Sequence, residues 1–247
     1  MRGLELIPVA GLPEIRPGDR LGELIARDAD LRDGDVLAVA QKVVSKAEGR
    51  TVRLDEVEPG ERARELAGRL EKDPALVELI LAETARIVRD ERVLIVETHS
   101  GLVCANAGID SSNAGGKGVV VLLPEDPDAS ARRLRAEIAR ASGTCVAVVV
   151  TDSFGRPWRV GQTEVAIGCA GLDPLDDWRG RSDRDGRELA ATEIALGDEI
   201  AAASDLVRDK AAGVPVVIVR GLGDRVTEED GPGAVALRRA AADDLFR

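Results

Sequence analysis

The sequence predicts an α/β protein. Three observations predict it. Short Val- and Ile-rich runs recur from Val36 to Ala40, Val93 to Thr98, Cys145 to Thr151 and Pro215 to Arg220, each of strand length and closed by turn residues. Between them lie longer segments rich in Glu, Arg, Leu and Ala with apolar residues at helical spacing. Aromatic residues make up only 2% of the chain and Tyr is absent, so the core must be built from Val, Ile, Leu and Ala.

The elements follow in order. Leu4 to Val9 reads as a short strand closed by a Gly-Leu-Pro turn, and Leu21 to Ala29 as a helix. Asp33-Gly34-Asp35 is a turn signal ahead of the buried strand Val36 to Ala40. Glu61 to Glu83 is broken at Asp73-Pro74 and so reads as two helices, the second opened by the proline. Val93 to Thr98 is a strand with which Gly101 to Ala105 pairs as a hairpin, and Gly118 to Leu123 is another strand. Ala129 to Ala141 has helical periodicity, and Cys145 to Thr151 is a fully apolar strand. Asp152 to about Asp185 reads as a long irregular loop, rich in Gly, Arg, Trp and Asp; a loop of that length is usually functional or disordered. Glu193 to about Ala212 is helical, Pro215 to Arg220 is the last strand, and an acidic connection from Glu228 to Gly233 leads to a short terminal helix. No internal repeat or low-complexity linker marks a domain boundary.

Composition narrows the function. The chain has 247 residues with 45 acidic and 34 basic side chains, a formal net charge of -11. That balance argues against a broad nucleic-acid surface, though a local basic pocket remains compatible with it. The rings are too few for stacking platforms. Cys104, Cys145 and Cys169 are odd in number and form no CxxC pair, so they read as small buried hydrophobes in a reducing compartment. The single histidine, His99, rules out a multi-histidine metal site and reads as a surface or strand-end residue. No run reaches the roughly 20 apolar residues needed to span a bilayer, and no signal-peptide pattern opens the chain. The expectation is a cytoplasmic protein without membrane or nucleic-acid partners.

Four clusters carry chemistry. Gly11-Leu12-Pro13-Glu14 exposes backbone N–H groups, although alone it is more often a plain turn. Gln41, Lys42 and Lys46 follow an apolar strand; such lysines hold phosphates as point charges and read equally well as solvated surface groups. Asp110 and Asn113 sit in the stretch VCANAGIDSSN, where small polar residues replace an apolar run. Asp152 and Ser153 end the strand before them. A carboxylate and a hydroxyl at a strand end suit magnesium or manganese, which take oxygen ligands and leave positions for phosphate and water. A lone Asp after a strand is more often a helix cap, but two such sites in a chain with so little other chemistry favour a metal. There is neither a GxxxxGK[ST] loop nor a GxGxxG opening a helix after a strand, so a P-loop enzyme and a dinucleotide fold are unsupported.

Several long motifs, in order, resemble the coenzyme F-420 gamma-glutamyl ligases. They are VAGLPEIRPGD, AQKVVSKAEGR, THSGLVCANAGIDSSN, TDSFGRPWRVGQTEVAIGCAG, DRDGRELA, VPVVIVRG and the closing DDLFR. The resemblance implies mixed and largely antiparallel sheets in two intertwined lobes, and one ligase domain over residues 1–247 without the reductase-like domain that follows it in some members. It implies GTP-dependent addition of L-glutamate, once or repeatedly with gamma linkage, to the lactyl side chain of the deazaflavin coenzyme F-420-0. That reaction runs through an acyl phosphate and releases GDP and phosphate.

The site residues implied are these. Gly11, Leu12, Pro13 and Glu14 line the nucleotide; Gln41, Lys42 and Lys46 contact its phosphates; and Asn113 touches it. Asp110 and Asp152 share a first divalent ion, Ser153 faces a second, and Lys46, Asp110 and Asp152 carry the chemistry. Potassium is a further cofactor expectation, and a homodimer the expected assembly. The segment from Arg208 to Gly213 would close over the nucleotide. The long loop itself, through Arg156, Trp158, Arg159 and Gln162, reads as the candidate for binding the substrate and shielding the acyl phosphate from water, with ordinary loop packing as the alternative. One departure stands out: Lys210 occupies the place of a glutamine that helps hold the second metal in archaeal members, and an ammonium cannot ligate a cation. Two alternatives stay open, a metal-dependent nucleotide or phosphodiester hydrolase and a non-enzymatic nucleotide- or flavin-binding module.

Overall fold

In the computed structural model, residues 3–112, 114–208 and 213–244 are described. The largest sheet has five strands in the order β1 (Glu5–Val9), β12 (Val216–Arg220), β2 (Val36–Ala40), β8 (Ala147–Arg156) and β9 (Arg159–Ala170). All its pairings are antiparallel except one: β2 runs parallel to β8, with Ala40 beside Thr151. Helices α1 (Leu21–Asp28) and α5 (Pro127–Ser142) cover one face. There Ile25, Leu134 and Ile138 pack on Leu37, Val39, Val148 and Val150. Helix α6 (Leu196–Asp205) covers the other, where Ile200 packs with Val36, Ala38, Ala147 and Val149. Alternate residues of β2 and β8 therefore enter different cores. That is why both strands read as unbroken apolar runs rather than alternating ones.

A second packed region is inserted between β3 (Thr51–Arg53) and β7 (Val119–Val121), which pair antiparallel. It contains α3 (Glu61–Leu70), α4 (Pro74–Ala82) and a sheet of β4 (Thr84–Glu91), β5 (Val93–Thr98) and β6 (Val103–Ala105). Its cores are its own: Ala63, Leu66 and Val77 in one cluster, Ile80, Leu94 and Val96 in the next. Asp73 caps α4 by accepting from the Ala75 N–H at 2.8 Å, with Pro74 in the first turn. The α/β class, the mixed main sheet and the otherwise antiparallel pairings agree with the sequence expectation.

Three readings of the sequence need correction. The stretch from Asp152 onward is not irregular throughout. β8 continues to Arg156 and returns as the twelve-residue β9, so the two form a long ribbon; its glycines and arginines masked the strand period. Strand β4 was missed because its alternation is written in charged residues, with Ile87 among arginines and acids. The helix expected from Glu193 to about Ala212 begins at Leu196, after the two-residue strand β11 (Glu193–Ile194), which pairs with β10 (Asp176–Asp177), and its regular part ends at Asp205; residues 209–212 lie outside the described residues. None of the described helices is long and apolar enough to cross a membrane.

A bulge sets the ribbon's register. Val150 pairs with Gly168 and Thr151 with Ala166, leaving Ile167 as the extra residue. Gly168 lies against the start of α5, and a methyl there would collide with the Pro127 carbonyl oxygen, so the close approach requires glycine. Gly168→Ala is expected to lower stability by about 1–3 kcal/mol, read as a drop of several degrees in a thermal melt. An unchanged melting temperature would show that α5 can move away freely.

Candidate functional site

The parallel pair β2–β8 places the site. Helix α2 (Gln41–Ala47) starts directly after β2, so Gln41 and Lys42 emerge where Ala40 lies beside Thr151. Asp152 and Ser153 are the next residues of β8, past the end of β2. The carboxyl ends of adjacent parallel strands are a common place for ligands in α/β folds.

Asp110 reaches this point from the other region. Its backbone is pinned to Val121 by two hydrogen bonds, its N–H donating to Val121 O at 3.0 Å and its carbonyl accepting from the Val121 N–H at 2.8 Å. Its carboxylate accepts from Lys42 Nζ at 2.8 Å, from the Ser112 N–H at 2.6 Å and from Ser112 Oγ at 3.0 Å. Lys42 Nζ also donates to Ser112 O at 2.6 Å. Partial burial would raise the Asp110 carboxyl, but Lys42 and the two Ser112 donors outweigh it and hold the group below the usual carboxylate range.

Asp152 is the opposite case. Burial first, then the charges of Glu164 and Asp110, push its carboxyl up to about 7, against the pull of the Ser153 N–H and of Lys42. Asp110, Lys42 and Asp152 therefore belong to one electrostatic cluster. Beside it, the Cys104 thiol is pushed up to about 12 by burial and by Asp152, which leaves it inert as a nucleophile. Cys169 is likewise buried and raised to about 12, and all three cysteines are free thiols. His99 is exposed just after β5, with Nε2 3.0 Å from Ala82 O.

The nucleotide candidates lie alongside. Lys46, largely buried on α2, donates to Glu14 Oε1 at 2.6 Å, and Gln41 Oε1 accepts from Ser45 Oγ at 3.0 Å. Gly11, with φ +90, takes the left-handed turn that leads out of β1, and Ile15 anchors the far end of that loop in the core. Glu14, Arg16, Lys46, Thr51, Ala114 and Gly115 line a cleft of about 470 Å3. The structure thus brings Lys46 and Glu14 to one cleft, and Lys42, Asp110 and Asp152 to one cluster. Asn113 and Lys210 lie outside the described residues. Arg156, Trp158, Arg159 and Gln162 stand on the tip of the β8–β9 ribbon beyond Ser153, with Trp158 80% exposed.

Arg208 is buried rather than hung over the cleft. It donates to Thr151 Oγ1 at 3.0 Å, to Glu164 Oε2 at 3.1 Å and to Ala38 O at 3.2 Å, tying the chain after α6 to three strands. Glu164 was missed in the sequence. The signal that would have found it is a single charge at an inward position of the run Thr163 to Ile167, legible only once that run is recognised as a strand.

The residues fit a divalent cation. Asp152 sits in a pocket of like charge that a cation near Asp110 and Asp152 would relieve. Among the described residues no three His, Cys, Asp or Glu side chains form a cage. Magnesium-type ions do not require such a cage, because they bind through one or two carboxylates and complete their shell with water and phosphate.

Comparison with known proteins adds a family. The family described as F420-0:Gamma-glutamyl ligase matches residues 11–221. A coenzyme F420:L-glutamate ligase of Methanopyrus kandleri is 49% identical over 100% of both chains. The protein of the same name from Halobacterium salinarum is 48% identical over 97% of this chain and 94% of its own. That from Methanothermobacter thermautotrophicus is 44% identical over 99% of each.

The raised Asp152 has a measurable consequence. Its folded value, about 7, lies above the ordinary 3.8, so the folded state binds the extra proton between those values and stability falls as pH rises through that window. Above about pH 7 the penalty is complete. In metal-free protein at pH 8, Asp152→Asn is therefore expected to melt a few degrees higher than wild type, with the gap closing as the pH is lowered. An equal or lower melting temperature at pH 8 would contradict the like-charge reading.

Proposed function

Because the chain belongs to the F420-0:gamma-glutamyl ligase family, we propose that it joins L-glutamate to the lactyl side chain of the deazaflavin coenzyme F-420-0 as an amide, with GTP as the energy source. The observation that carries this reading is the convergence of Lys42, Asp110 and Asp152 at the ends of β2 and β8, beside the cleft that Lys46 lines. Cationic side chains adjoin a carboxylate pair, which is what transfer of a phosphoryl group to a carboxylate requires.

A carboxylate oxygen of the acceptor attacks the γ-phosphorus of GTP, the bond to the bridging oxygen breaks, and GDP leaves. The amine nitrogen of glutamate then attacks the acyl carbon, phosphate leaves, and a proton is lost as the amide forms. Addition of further gamma-linked glutamates repeats the sequence on the new side-chain carboxylate. Divalent ions, magnesium or manganese, would neutralise the phosphate oxygens and fix the γ-phosphorus in line; Asp110 and Asp152 would hold one, and Ser153 would face another.

Lys46 reaches the phosphates at low cost. Its partner Glu14 is largely exposed, so little is lost when phosphate oxygens replace that pair. Lys42, paired with Asp110, can reach the transferring group from the same place. The loop Gly11 to Glu14 and the residues near Asn113 flank the same cleft and would bind the nucleotide. The tip residues Arg156, Trp158, Arg159 and Gln162 are proposed to close on the deazaflavin and glutamate, keeping water from the acyl phosphate. A homodimer and a potassium requirement belong to the same proposal.

A mass spectrum of one reaction tests it, with protein, glutamate-free deazaflavin, L-glutamate, GTP and manganese. Product heavier by one or more glutamyl units with matching GDP is expected. GDP without heavier product would favour the hydrolase, and neither would favour a binding module. Asp110→Ala and Asp152→Ala are expected to fold but to lose glutamate addition by about 100-fold or more; near-normal turnover in either would sink the metal assignment. Lys46→Ala is expected to weaken nucleotide binding on the order of tenfold and to leave deazaflavin binding unchanged, as read by isothermal titration. Unchanged nucleotide affinity would remove Lys46 from the site.

A further inference from the structure

Ser153 and Glu164 are cross-strand partners on the β8–β9 ribbon, so their side chains share a face. That face is the α6 side, the same one that Thr151 presents to Arg208. Ser153 Oγ donates to Glu164 Oε1 at 2.5 Å, and Arg208 Nη1 donates to Glu164 Oε2 at 3.1 Å. Glu164 and Arg208 are both more than nine-tenths buried as side chains. A buried carboxylate held on both oxygens is a fixed acceptor, and a hydroxyl has one hydrogen and two lone pairs. With its hydrogen committed to Glu164, the Ser153 oxygen can offer only lone pairs to anything else that approaches.

We infer that Glu164 is a positioning residue that turns Ser153 Oγ into a cation ligand, with Arg208 locking Glu164 in place. This inference rests on the proposed assignment of Ser153 to a divalent ion. Outer partners of this kind orient metal ligands and raise their donor strength, and their loss costs about 10–100-fold in metal affinity. Nothing in it requires Glu164 to touch the metal. The Arg208 guanidinium pairs with Glu164 and holds the carboxylate in place while it orients Ser153. The arrangement also supports the second ion in a chain where Lys210 offers it no ligand.

The test is a titration of the GDP-saturated protein with manganese(II), with free manganese followed by electron paramagnetic resonance. In Glu164→Gln the amide oxygen is drawn to Arg208 and its NH2 turns to Ser153, which takes up one of the two Ser153 lone pairs and frees its hydrogen to point towards the cation. The weaker manganese site is expected to lose about tenfold in affinity while the tighter site is unchanged. Glu164→Asp keeps the charge but falls short of Ser153, and is expected to show the same loss; it carries the test if the glutamine variant does not fold. Ser153→Ala should reproduce the loss, and Ser153→Ala with Glu164→Gln should lose no more than either alone, because the two act as one unit. A purely structural role for Glu164 would give additive losses or lower both sites together. Either result, or unchanged affinities in the Glu164 variants, would overturn the inference. Wild-type protein that takes up no manganese would overturn the metal assignment and this inference together.

Discussion

The parallel pairing of β2 with β8 is the constraint on which the rest depends. It is the only parallel neighbour relation in a sheet otherwise built from antiparallel pairs, and it aligns two carboxyl ends. One end turns at once into α2 and delivers Gln41, Lys42 and Lys46; the other runs on alone as Asp152 and Ser153. If β2 were antiparallel to β8, its amino end would lie at this point and no lysine would stand beside Asp152. The two-faced core makes the alignment firm, because alternate residues of both strands are sealed under α1 and α5 on one side and α6 on the other. A one-residue slip would exchange the two sets of side chains between cores of different shape.

The second region completes the site from outside the sheet. Asp110 lies where the chain returns towards β7, and its backbone ladder to Val121 fixes where the carboxylate can stand. The Lys42–Asp110 contact is then a bond between two separately packed parts of the molecule. A ligand that drew on either group would be felt by both parts. The same reasoning applies to Lys46 and Glu14, which join α2 to the loop after β1 across the cleft.

Much of this was legible in the residues. Apolar runs located β2, β5, β8 and β12, and Asp73-Pro74 placed the break between α3 and α4, because those signals are local. Asp110, Asp152, Lys42 and Lys46 could be singled out as polar groups at strand ends. What the sequence could not give was pairing: that β2 and β8 are neighbours and parallel, or that Lys42 reaches Asp110 across 68 positions. The ribbon was misread because Gly155, Gly161 and the arginines near them carry no period-two pattern, although their backbones pair. Glu164 disappeared with it. A buried charge in a strand is informative only when the strand is known.

The site runs against the interest of the fold. The partly buried Asp152 stands near the charges of Glu164 and Asp110 in a chain already carrying a net charge of -11, and the Arg208 side chain is buried with its Nε atom unpaired. Each of these opposes folding. Such groups persist where their interactions with a ligand, rather than with the rest of the protein, set their identity. The distribution of charge agrees: Arg16 and Lys46 line the cleft with Glu14, Asp152 lies past the end of β2, and the thiol within reach of Asp152 is held protonated. With one exposed histidine and with Cys104 and Cys169 held as thiols by burial, the chemistry gathered at these strand ends is that of oxygen ligands and fixed positive charge, which is the chemistry phosphoryl transfer uses.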